Sequence, residues 1–529
     1  MSVTTEKSYP AQCRTSRGPI SVTSTCPAVV RQWRFQLVLA TLLIVLSTSI
    51  TRWYSLSVYE VDWDESNRMS IGASLNHGHT LYVDAWDHHT FLDILVFQQL
   101  FRVFSPSMVP RVIHGINILA VSAISVLVYL LIREGTSSFI AALFGSSLAL
   151  QLFPHEFFRS SNGELYHSLT SVTACAIYCL GRRRWLSLMT SGALLAAGFC
   201  VKQTAIFDIA AFGVLHWLVA RRRKDCAYRY ELARLGIGAG LVFAGSIVYF
   251  LAHGSLGDAF YATFLDAFIY ATGCGLQDTL SRYESTFGSE LRFFLGMHWI
   301  ILASLGAAYL GLFAPEQDAR RGLFGRAAVI WFCFVFVGIT SIGRFYHHYF
   351  IQLITPLALA CAYGIALIPN ALRAVPVILC VILYTHPYLY VNPSKFSFFE
   401  SLNMSEIAKV AEIIRSKCSP ESSIFLYHNS ALCLYFLTER FPPTTVFMDE
   451  QMTAGHKDGP RLLKQGLRGW EKNPPKVVVT GSLSYGIPAI DELIERDYVF
   501  CTNIGVYGIL TRRTSDTPKE LSTTAPPKP

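Results

Sequence analysis

Residues 35–51 read FQLVLATLLIVLSTSIT, an apolar run that is soon followed by the acidic stretch VDWDES at residues 61–66. A helix needs about 20 mostly apolar residues to cross a bilayer, and this run comes within a turn of that length. Comparable runs recur as far as residue 391, at 110–132, 138–153, 164–180, 185–200, 203–220, 232–252, 297–313, 326–342, 346–368 and 371–391. The pattern predicts an α-helical polytopic membrane protein with about eleven transmembrane helices.

The composition supports this class. Only 15% of the 529 residues are charged, whereas soluble domains carry about 25%. The high apolar content excludes a disordered chain, and the shortage of charge argues against an ordinary cytosolic enzyme. The net charge of +8 comes from short basic clusters and not from one extended positive face, so we expect no nucleic-acid partner.

The basic clusters predict the orientation in the membrane. They lie at Arg31 and Arg34, Arg182–Arg184, Arg221–Lys224, Arg320, Arg321 and Arg326, and Arg373. With the predicted spans, all of them fall on the same side, and Lys and Arg mark the cytoplasmic side. The N-terminus is therefore expected in the cytoplasm, and an odd number of spans puts the C-terminal part outside.

Acidic and histidine side chains concentrate on the other face. The first outside loop, residues 52–90, is rich in Asp, Glu and His. Later loops on the same face contribute Arg159 and Glu164, then Lys202, then a long polar loop at 253–296, then Arg344, His347 and His348. Five loops that are distant in sequence are thus predicted to meet on one side of the membrane.

The chain after the last apolar run changes character. A helical stretch at 405–416 is followed by the β-rich runs SIFLY at 423–427 and KVVVT at 476–480. This alternation predicts a small α/β domain. The expected organisation is a disordered cytoplasmic segment at 1–30, a transmembrane domain at 31–395, an α/β domain at 396–513 and a disordered tail at 514–529.

Asp64 and Glu65 are the first candidates for chemistry. A carboxylate at the membrane interface can have a raised pKa where water is excluded, which suits a general base that takes a proton from a hydroxyl. The alternative is that these acids belong to a solvated loop and have no catalytic role.

Lys202 and Arg344 lie at the edges of apolar runs. A cation at span depth costs about 2.5–3.5 kcal/mol on insertion scales, so it usually faces a cavity or a partner. Both side chains are suited to bind a phosphate. The alternative is that they snorkel toward water.

A metal site is a further alternative. His77, His79, His88 and His89 lie near Asp84 and Asp87, and such ligands suit Zn²⁺ or a similar ion. No Cys accompanies them and no H-E-x-x-H spacing is present, so the sequence predicts no metal and no other cofactor.

Four short motifs together resemble a known group of enzymes. They are W-D-E at 63–65, Y-V-D-A-W-D-H at 82–88, N-G-E at 162–164 and R-F-Y-H-H-Y at 344–349. In this order they resemble the membrane glycosyltransferases of the GT-C fold. The nearest group is the protein-mannosyltransferase-like set (glycosyltransferase family 39/83 type), with its aminoarabinose transferases and rhizobial lipopolysaccharide galacturonosyltransferases. The resemblance covers about residues 50–391.

The resemblance implies roles for individual residues. Asp64 stands where the family has its catalytic acid, with Glu65 beside it. The positions implied for the donor phosphate and the substrate are Arg344, His347, Lys202, Glu164, Arg159, Asp87, His88 and His89. Relatives often have Lys followed by Pro near positions 89–91, whereas this chain has His89, Thr90 and Phe91.

The implied function is transfer of a hexosyl or pentosyl group, with inversion, from a polyprenyl-phosphate donor. The acceptor is a hydroxyl of a lipid, glycan or protein on the extracytoplasmic face of the inner (cell) membrane. Two alternatives stay open: a transporter or lipid flippase, and a catalytically inactive scaffold. Transporters tend to show internal repeats and charged or broken helices at the bilayer midplane, and neither is evident here.

Overall fold

In the computed structural model, the described residues are 27–152, 160–181, 184–223, 228–272, 305–309, 319–341, 347–369, 372, 404–428, 431–453, 458–481 and 486–513. Two units divide the chain, residues 1–43 and 44–529. Helix α1 (Pro27–Arg52) begins in the first unit.

The described residues between α1 and residue 367 are mainly helical. The helices are α2 (Trp63–Leu75), α3 (Leu92–Val103), α4 (Val109–Thr136), α5 (Phe139–Leu152), α6 (Gly163–Leu180), α7 (Arg184–Val201), α8 (Ala205–Arg223), α9 (Tyr228–Ala252), α10 (Leu256–Phe260), a π-helical turn (Tyr261–Asp266), α11 (Ala267–Thr272), α12 (Ala319–Ser341) and α13 (Ile351–Leu367). Short 3₁₀ turns at Trp53–Ser57 and His347–Phe350 precede α2 and α13.

Six of the described helices are long and apolar enough to cross a membrane. They are Arg31–Arg52, Val109–Thr136, Arg184–Val201, Tyr228–Ala252, Arg321–Ser341 and His348–Leu367. Helices α5, α6 and α8 match three more predicted runs but are shorter or more polar. The runs at 297–313 and 371–391 fall largely outside the described residues. A polytopic helical protein is therefore confirmed, but the number of eleven spans is not.

Helices α7 and α9 pack with their backbones in contact. A Cβ atom at Gly192 would lie 2.0 Å from the carbonyl oxygen of Leu235, and one at Gly238 would lie 1.9 Å from that of Met189. Small residues that allow such approach are characteristic of helix pairs in membranes, where van der Waals packing replaces the hydrophobic effect. Any larger residue at either position would push the two helices apart.

The C-terminal part forms the predicted α/β arrangement. Helix α14 (Met404–Lys417) precedes β1 (Ile424–Tyr427), α15 (Cys433–Thr438), a 3₁₀ turn (Asp449–Met452), α16 (Gly459–Lys472), β2 (Val477–Thr480), α17 (Pro488–Asp497), β3 (Tyr498–Ile504) and β4 (Tyr507–Arg512). The sheet order is β1-β2-β4-β3, with β1 and β2 parallel and the other pairs antiparallel. The helix at 405–416 and the strands at 423–427 and 476–480 are confirmed. The β3–β4 hairpin was not predicted.

The α/β part is bound to the first loop by hydrogen bonds. Glu60 accepts one from the backbone N of Cys433 at 3.1 Å, and the Ser70 hydroxyl donates one to the carbonyl of Leu432 at 3.0 Å. A third joins the backbone N of Trp86 to the carbonyl of Thr445 at 2.7 Å. Buried apolar side chains of both regions form one continuous core. The loop that carries the predicted acids is thus held between the membrane helices and the sheet.

Candidate active site

The start of α2 positions the first acidic residues. Asp62 caps the helix and accepts a hydrogen bond from the backbone N of Asp64 at 3.4 Å, which is the preferred role of Asp at this position. Asp64 and Glu65 then fall in the first turn, where the helix dipole favours negative charge. The side chain of Asp64 is 27% exposed, whereas that of Glu65 is fully buried. Of these two, only Asp64 can meet a substrate directly.

Glu65 is held by two partners inside the protein. One oxygen lies 2.7 Å from Nε2 of His114 on α4, and the other accepts a hydrogen bond from the backbone N of Ser161. Burial alone would raise the pKa of Glu65, but the charge and hydrogen bonds of these partners lower it overall. Glu65 is therefore an anion with both oxygens engaged, which makes it a positioning residue in this structure.

Asp62 differs from its neighbours in its protonation. It accepts a hydrogen bond from the Asn162 side chain at 3.0 Å and another from Ser160 at 3.3 Å. Burial, with the nearby charge of Asp64, raises the pKa of Asp62 to about 7. Near neutral pH, both the protonated and the ionised form of Asp62 are therefore present beside Asp64.

Arg68 connects the pieces of the site and was not predicted. Its guanidinium donates to the carbonyl of Asp64 at 2.9 Å, to Asp93 at 2.6 Å and to Asn162 at 3.0 Å. The side chain is almost fully buried, so the acid partner on α3 is needed to compensate its charge. The only signal in the sequence was its place one helical turn after Asp64.

A second group of charges meets Asp64 from three other parts of the chain. Lys202, between α7 and α8, lies 2.9 Å from Glu164 on α6. His348 Nε2 lies 3.9 Å from an oxygen of Glu164 and 3.9 Å from an oxygen of Asp64. We call Asp64, Glu164, Lys202 and His348 the acid–cation cluster. The predicted convergence of loops at 52–90, 154–163, 202–203 and the late loop is observed in these contacts.

The third predicted element, the Asp87-His88-His89 segment, lies close to the cluster. Asp87 is fully buried and lies 2.8 Å from Nδ1 of His89, and it accepts a hydrogen bond from Asn67 at 3.3 Å. Burial would raise the pKa of Asp87, but the two histidines hold it well below its usual range. The backbone carbonyl of His88 accepts a hydrogen bond from Gln203, the residue after Lys202, at 3.0 Å. These bonds fix the segment beside Lys202.

Three predicted residues cannot be compared with the structure in full. Arg159 and Arg344 lie outside the described residues. His347 begins the 3₁₀ turn His347–Phe350, but its side chain is not among those described. In the R-F-Y-H-H-Y motif it is the neighbouring His348 whose ring contacts the acids.

Two sets of side chains have the donor geometry for a divalent cation. Within the described part of the chain, donor atoms of Asp62, Asp64 and His348 lie within 4.8 Å of one another, as do those of Asp87, His88 and His89. Carboxylate and imidazole ligands suit Zn²⁺ or Mn²⁺. The first set shares Asp64 with the acid–cation cluster, so an ion there would occupy one of its oxygens.

No family model and no curated protein sequence matches the chain. Solved structures do. The protein ArnT from Cupriavidus metallidurans, bound to undecaprenyl phosphate, shares 13% identity over 92% of this chain and 98% of its own, with a TM-score of 0.56. The apo oligosaccharyltransferase of Archaeoglobus fulgidus shares 12% identity over 91% of this chain and 75% of its own, with a TM-score of 0.52.

The same archaeal oligosaccharyltransferase, tethered to an acceptor peptide with the NVT sequon, gives 14% identity and a TM-score of 0.50 over 91% of this chain and 74% of its own. These proteins have the GT-C fold of membrane glycosyltransferases. At such low identity the likeness establishes the architecture, and the GT-C fold predicted from the motifs is confirmed.

Proposed function

We propose that the chain is a membrane glycosyltransferase that moves a sugar from a polyprenyl-phosphate donor to a hydroxyl acceptor on the extracytoplasmic face. The observation that carries this proposal is the acid–cation cluster, in which His348 lies 3.9 Å from both Asp64 and Glu164, and Lys202 lies 2.9 Å from Glu164. The GT-C architecture supports it, because ArnT in that fold was solved with undecaprenyl phosphate.

Asp64 is the proposed general base. Its side chain is the most exposed of the acid–cation cluster, and a base must come within hydrogen-bond reach of the acceptor hydroxyl. Asp64 takes the hydroxyl proton while the acceptor oxygen bonds to the anomeric carbon. The bond from that carbon to the phosphate oxygen breaks, and its electron pair leaves with the polyprenyl phosphate. A single displacement of this kind inverts the anomeric centre.

Lys202 and His348 are the proposed groups that face the departing phosphate. Negative charge grows on that phosphate as the bond breaks. A fixed ammonium and an imidazole N–H donor in a poorly solvated site stabilise that charge more in the transition state than in the ground state. Glu164 fixes the ammonium of Lys202 at 2.9 Å. The lysine is thus oriented before the donor arrives, so little reorganisation accompanies the reaction.

Outer-surface lipids and glycans compared by mass spectrometry, from cells with and without the gene, test the proposed function. We expect one glycosylated species to disappear without the gene, and Asp64→Asn to reproduce that loss because an amide cannot accept the proton. The matched control is Asp84→Asn, the same change at an exposed acid of the same loop, which should leave the product intact. Wild-type product from Asp64→Asn at normal expression would remove Asp64 from the mechanism.

Further experiments separate the alternative functions. A transporter or flippase would redistribute a solute or lipid in proteoliposomes without forming any new glycosidic bond. A scaffold would keep its cellular phenotype in an Asp64→Asn, Lys202→Met double variant. Dialysis against EDTA tests the expected independence from metal. Loss of activity that Mn²⁺ or Zn²⁺ restores would instead show that a metal is required, and the two sets of side chains named above would be its candidate ligands.

A further inference from the structure

A cavity of about 170 Å³ lies where three regions of the chain meet. Trp86 of the first loop, Asp258 and Tyr261 around α10, and Thr445, Arg461 and Gln465 of the α/β part contribute to its wall. This volume is below the roughly 300–1,000 Å³ of pockets that hold drug-sized ligands, so the cavity suits a ligand about as large as one small polar ring.

The lining combines flat aromatic groups with hydrogen-bonding side chains. Trp86 and Tyr261 contribute aromatic side chains to the wall, while Asp258, Gln465 and Thr445 contribute a carboxylate, an amide and a hydroxyl group. A sugar ring has apolar C–H faces and a rim of hydroxyls, so it is complementary to such a wall. Pockets of this composition bind small polar ligands by apolar contact, with a few polar groups setting their orientation.

The charges around the cavity disfavour an anionic ligand. The guanidinium of Arg461 is already paired with Asp458, with Nε at 2.8 Å from both carboxylate oxygens, and it lies 5.0 Å from the centre of the Tyr261 ring. Asp258 adds an exposed carboxylate. Asp266 is fully buried, and its pKa is raised to about 7 by burial and by Asp458. The local charge is thus neutral to negative.

The cavity is joined to the proposed active site through its own wall. Trp86 immediately precedes the Asp87-His88-His89 segment. The amide of Gln203 donates both to the carbonyl of His88 at 3.0 Å and to the carbonyl of Thr263 at 3.2 Å. Thr263 lies in the π-helical turn that carries Tyr261. A ligand in the cavity would therefore lie against the same scaffold that holds Lys202.

We propose that this cavity is a subsite for one neutral or amino sugar of the acceptor, and that it rejects sugars that carry a carboxylate or phosphate. This inference rests on the proposed function, since it makes the acceptor a glycan or a glycolipid. Tyr261 stacks on the ring, and Gln465 with Asp258 binds the hydroxyls.

Saturation-transfer NMR with the full-length chain in lipid nanodiscs tests this subsite. The probes are methyl glycosides of glucose, galactose and mannose, each compared with its 2-amino and its uronate counterpart. We expect at least one neutral or amino glycoside to receive saturation, and its uronate counterpart to bind at least tenfold more weakly. Equal binding of neutral sugar and uronate, or no binding by any probe, would overturn the inference.

Variants tie the binding to the cavity. Tyr261→Ala and Gln465→Ala should each weaken binding at least tenfold, while Tyr230→Ala, at an exposed tyrosine of α9, should not change it. Tyr261→Phe keeps the aromatic ring, so it should retain binding. It therefore keeps the test valid if Tyr261→Ala fails to fold. If binding is unchanged in both Tyr261→Ala and Gln465→Ala, the sugar binds elsewhere and the assignment is overturned.

The outcome can be separated from that of the proposed function, because binding is measured without a donor. Sugar binding that depends on Tyr261 in a chain without transferase activity would overturn the proposed function and leave the subsite. Transferase activity without Tyr261-dependent binding would overturn the subsite alone.

Discussion

At the scale of single residues, the site shows how environment separates like groups. Asp62, Asp64 and Glu65 lie within four positions, yet Asp62 has a pKa of about 7, Glu65 is held ionised and buried, and Asp64 keeps 27% of its side chain exposed. Such divergence among neighbouring acids is the usual basis for assigning distinct roles to them. Here it supports the proposal that Asp64 is the residue that meets a substrate.

The Lys202–Glu164 pair gives a prediction at this scale. Both side chains are almost fully buried, so removing one partner leaves an uncompensated charge that costs about 3–5 kcal/mol. Lys202→Met and Glu164→Gln should therefore each lower the melting temperature more than the double variant does. Transfer activity should fall about 10²–10³-fold in Lys202→Met and in the double variant, as for loss of one transition-state donor.

Thermal unfolding in detergent and a transfer assay, made on the same preparations, check this prediction. Arg496→Met, at a highly exposed ion pair with Asp497, is the control and should change neither quantity appreciably. Full activity in the stabilised double variant would show that Lys202 acts only in folding.

At the scale of elements, the active-site helix is fixed by contacts that come from other elements. Arg68 joins α2 to α3 and to the residues before α6, and Glu60 joins the loop before α2 to the backbone of α15. The position of Asp64 thus depends on the docking of the α/β part. Glu60 is buried there, and burial raises its pKa to about 7.

The raised pKa of Glu60 predicts a pH-dependent stability. The folded state holds its proton more tightly than the unfolded state, where the value is 4.5. Stability from this group is therefore complete below pH 4.5 and is lost as the pH rises through about 7. Glu60→Gln keeps an oxygen for Cys433 and removes the titration, so the variant should gain up to about 3 kcal/mol over wild type between pH 5 and 8.

Melting temperatures at half-unit steps from pH 5 to 8 provide the measurement. The difference between Glu60→Gln and wild type should grow with pH, whereas Glu421→Gln, an exposed acid of the same part, should follow wild type throughout. A constant difference across the range would show that Glu60 does not titrate there.

At the scale of the whole molecule, the acid–cation cluster is formed at the ends of helices that alternate in direction. Glu164 stands at the start of α6 and Lys202 follows the end of α7, and the two side chains contact each other. Arg184 begins α7 and Arg221 lies near the end of α8, so both stand at the helix ends away from Lys202. The separation agrees with the orientation predicted from the positive charges.

This arrangement predicts which side of the membrane the α/β part occupies. Cys501 is the exposed cysteine of the C-terminal residues 404–513, because Cys418 and Cys433 are buried. In a chain whose other cysteines are replaced by serine, a membrane-impermeant maleimide should label Cys501 in intact spheroplasts, and Cys501→Ser should abolish that labelling. Arg221→Cys in the Cys501→Ser background should react only after permeabilisation. The opposite pattern would reverse the proposed orientation.

Sequence reasoning was most effective where residues act alone or in regular spacing. The apolar runs predicted helices that the structure contains, and the proposal of Asp64 as the base also came from a local signal, the acidic residues at 61–66. It did not identify Arg68 or His114, whose partners Asp93 and Glu65 lie 25 and 49 positions away. His114 carried one usable signal, an ionisable side chain in an apolar run, which favours an internal partner.

The sequence by itself determined that the chain is a polytopic helical membrane protein with an α/β C-terminal part, because apolar length and strand or helix periodicity are local properties. Tertiary structure alone decided that Glu65 is buried whereas Asp64 stays partly exposed. It also decided that His348 contacts both Asp64 and Glu164. Those properties depend on burial and on distances between side chains far apart in the chain, which no local pattern specifies.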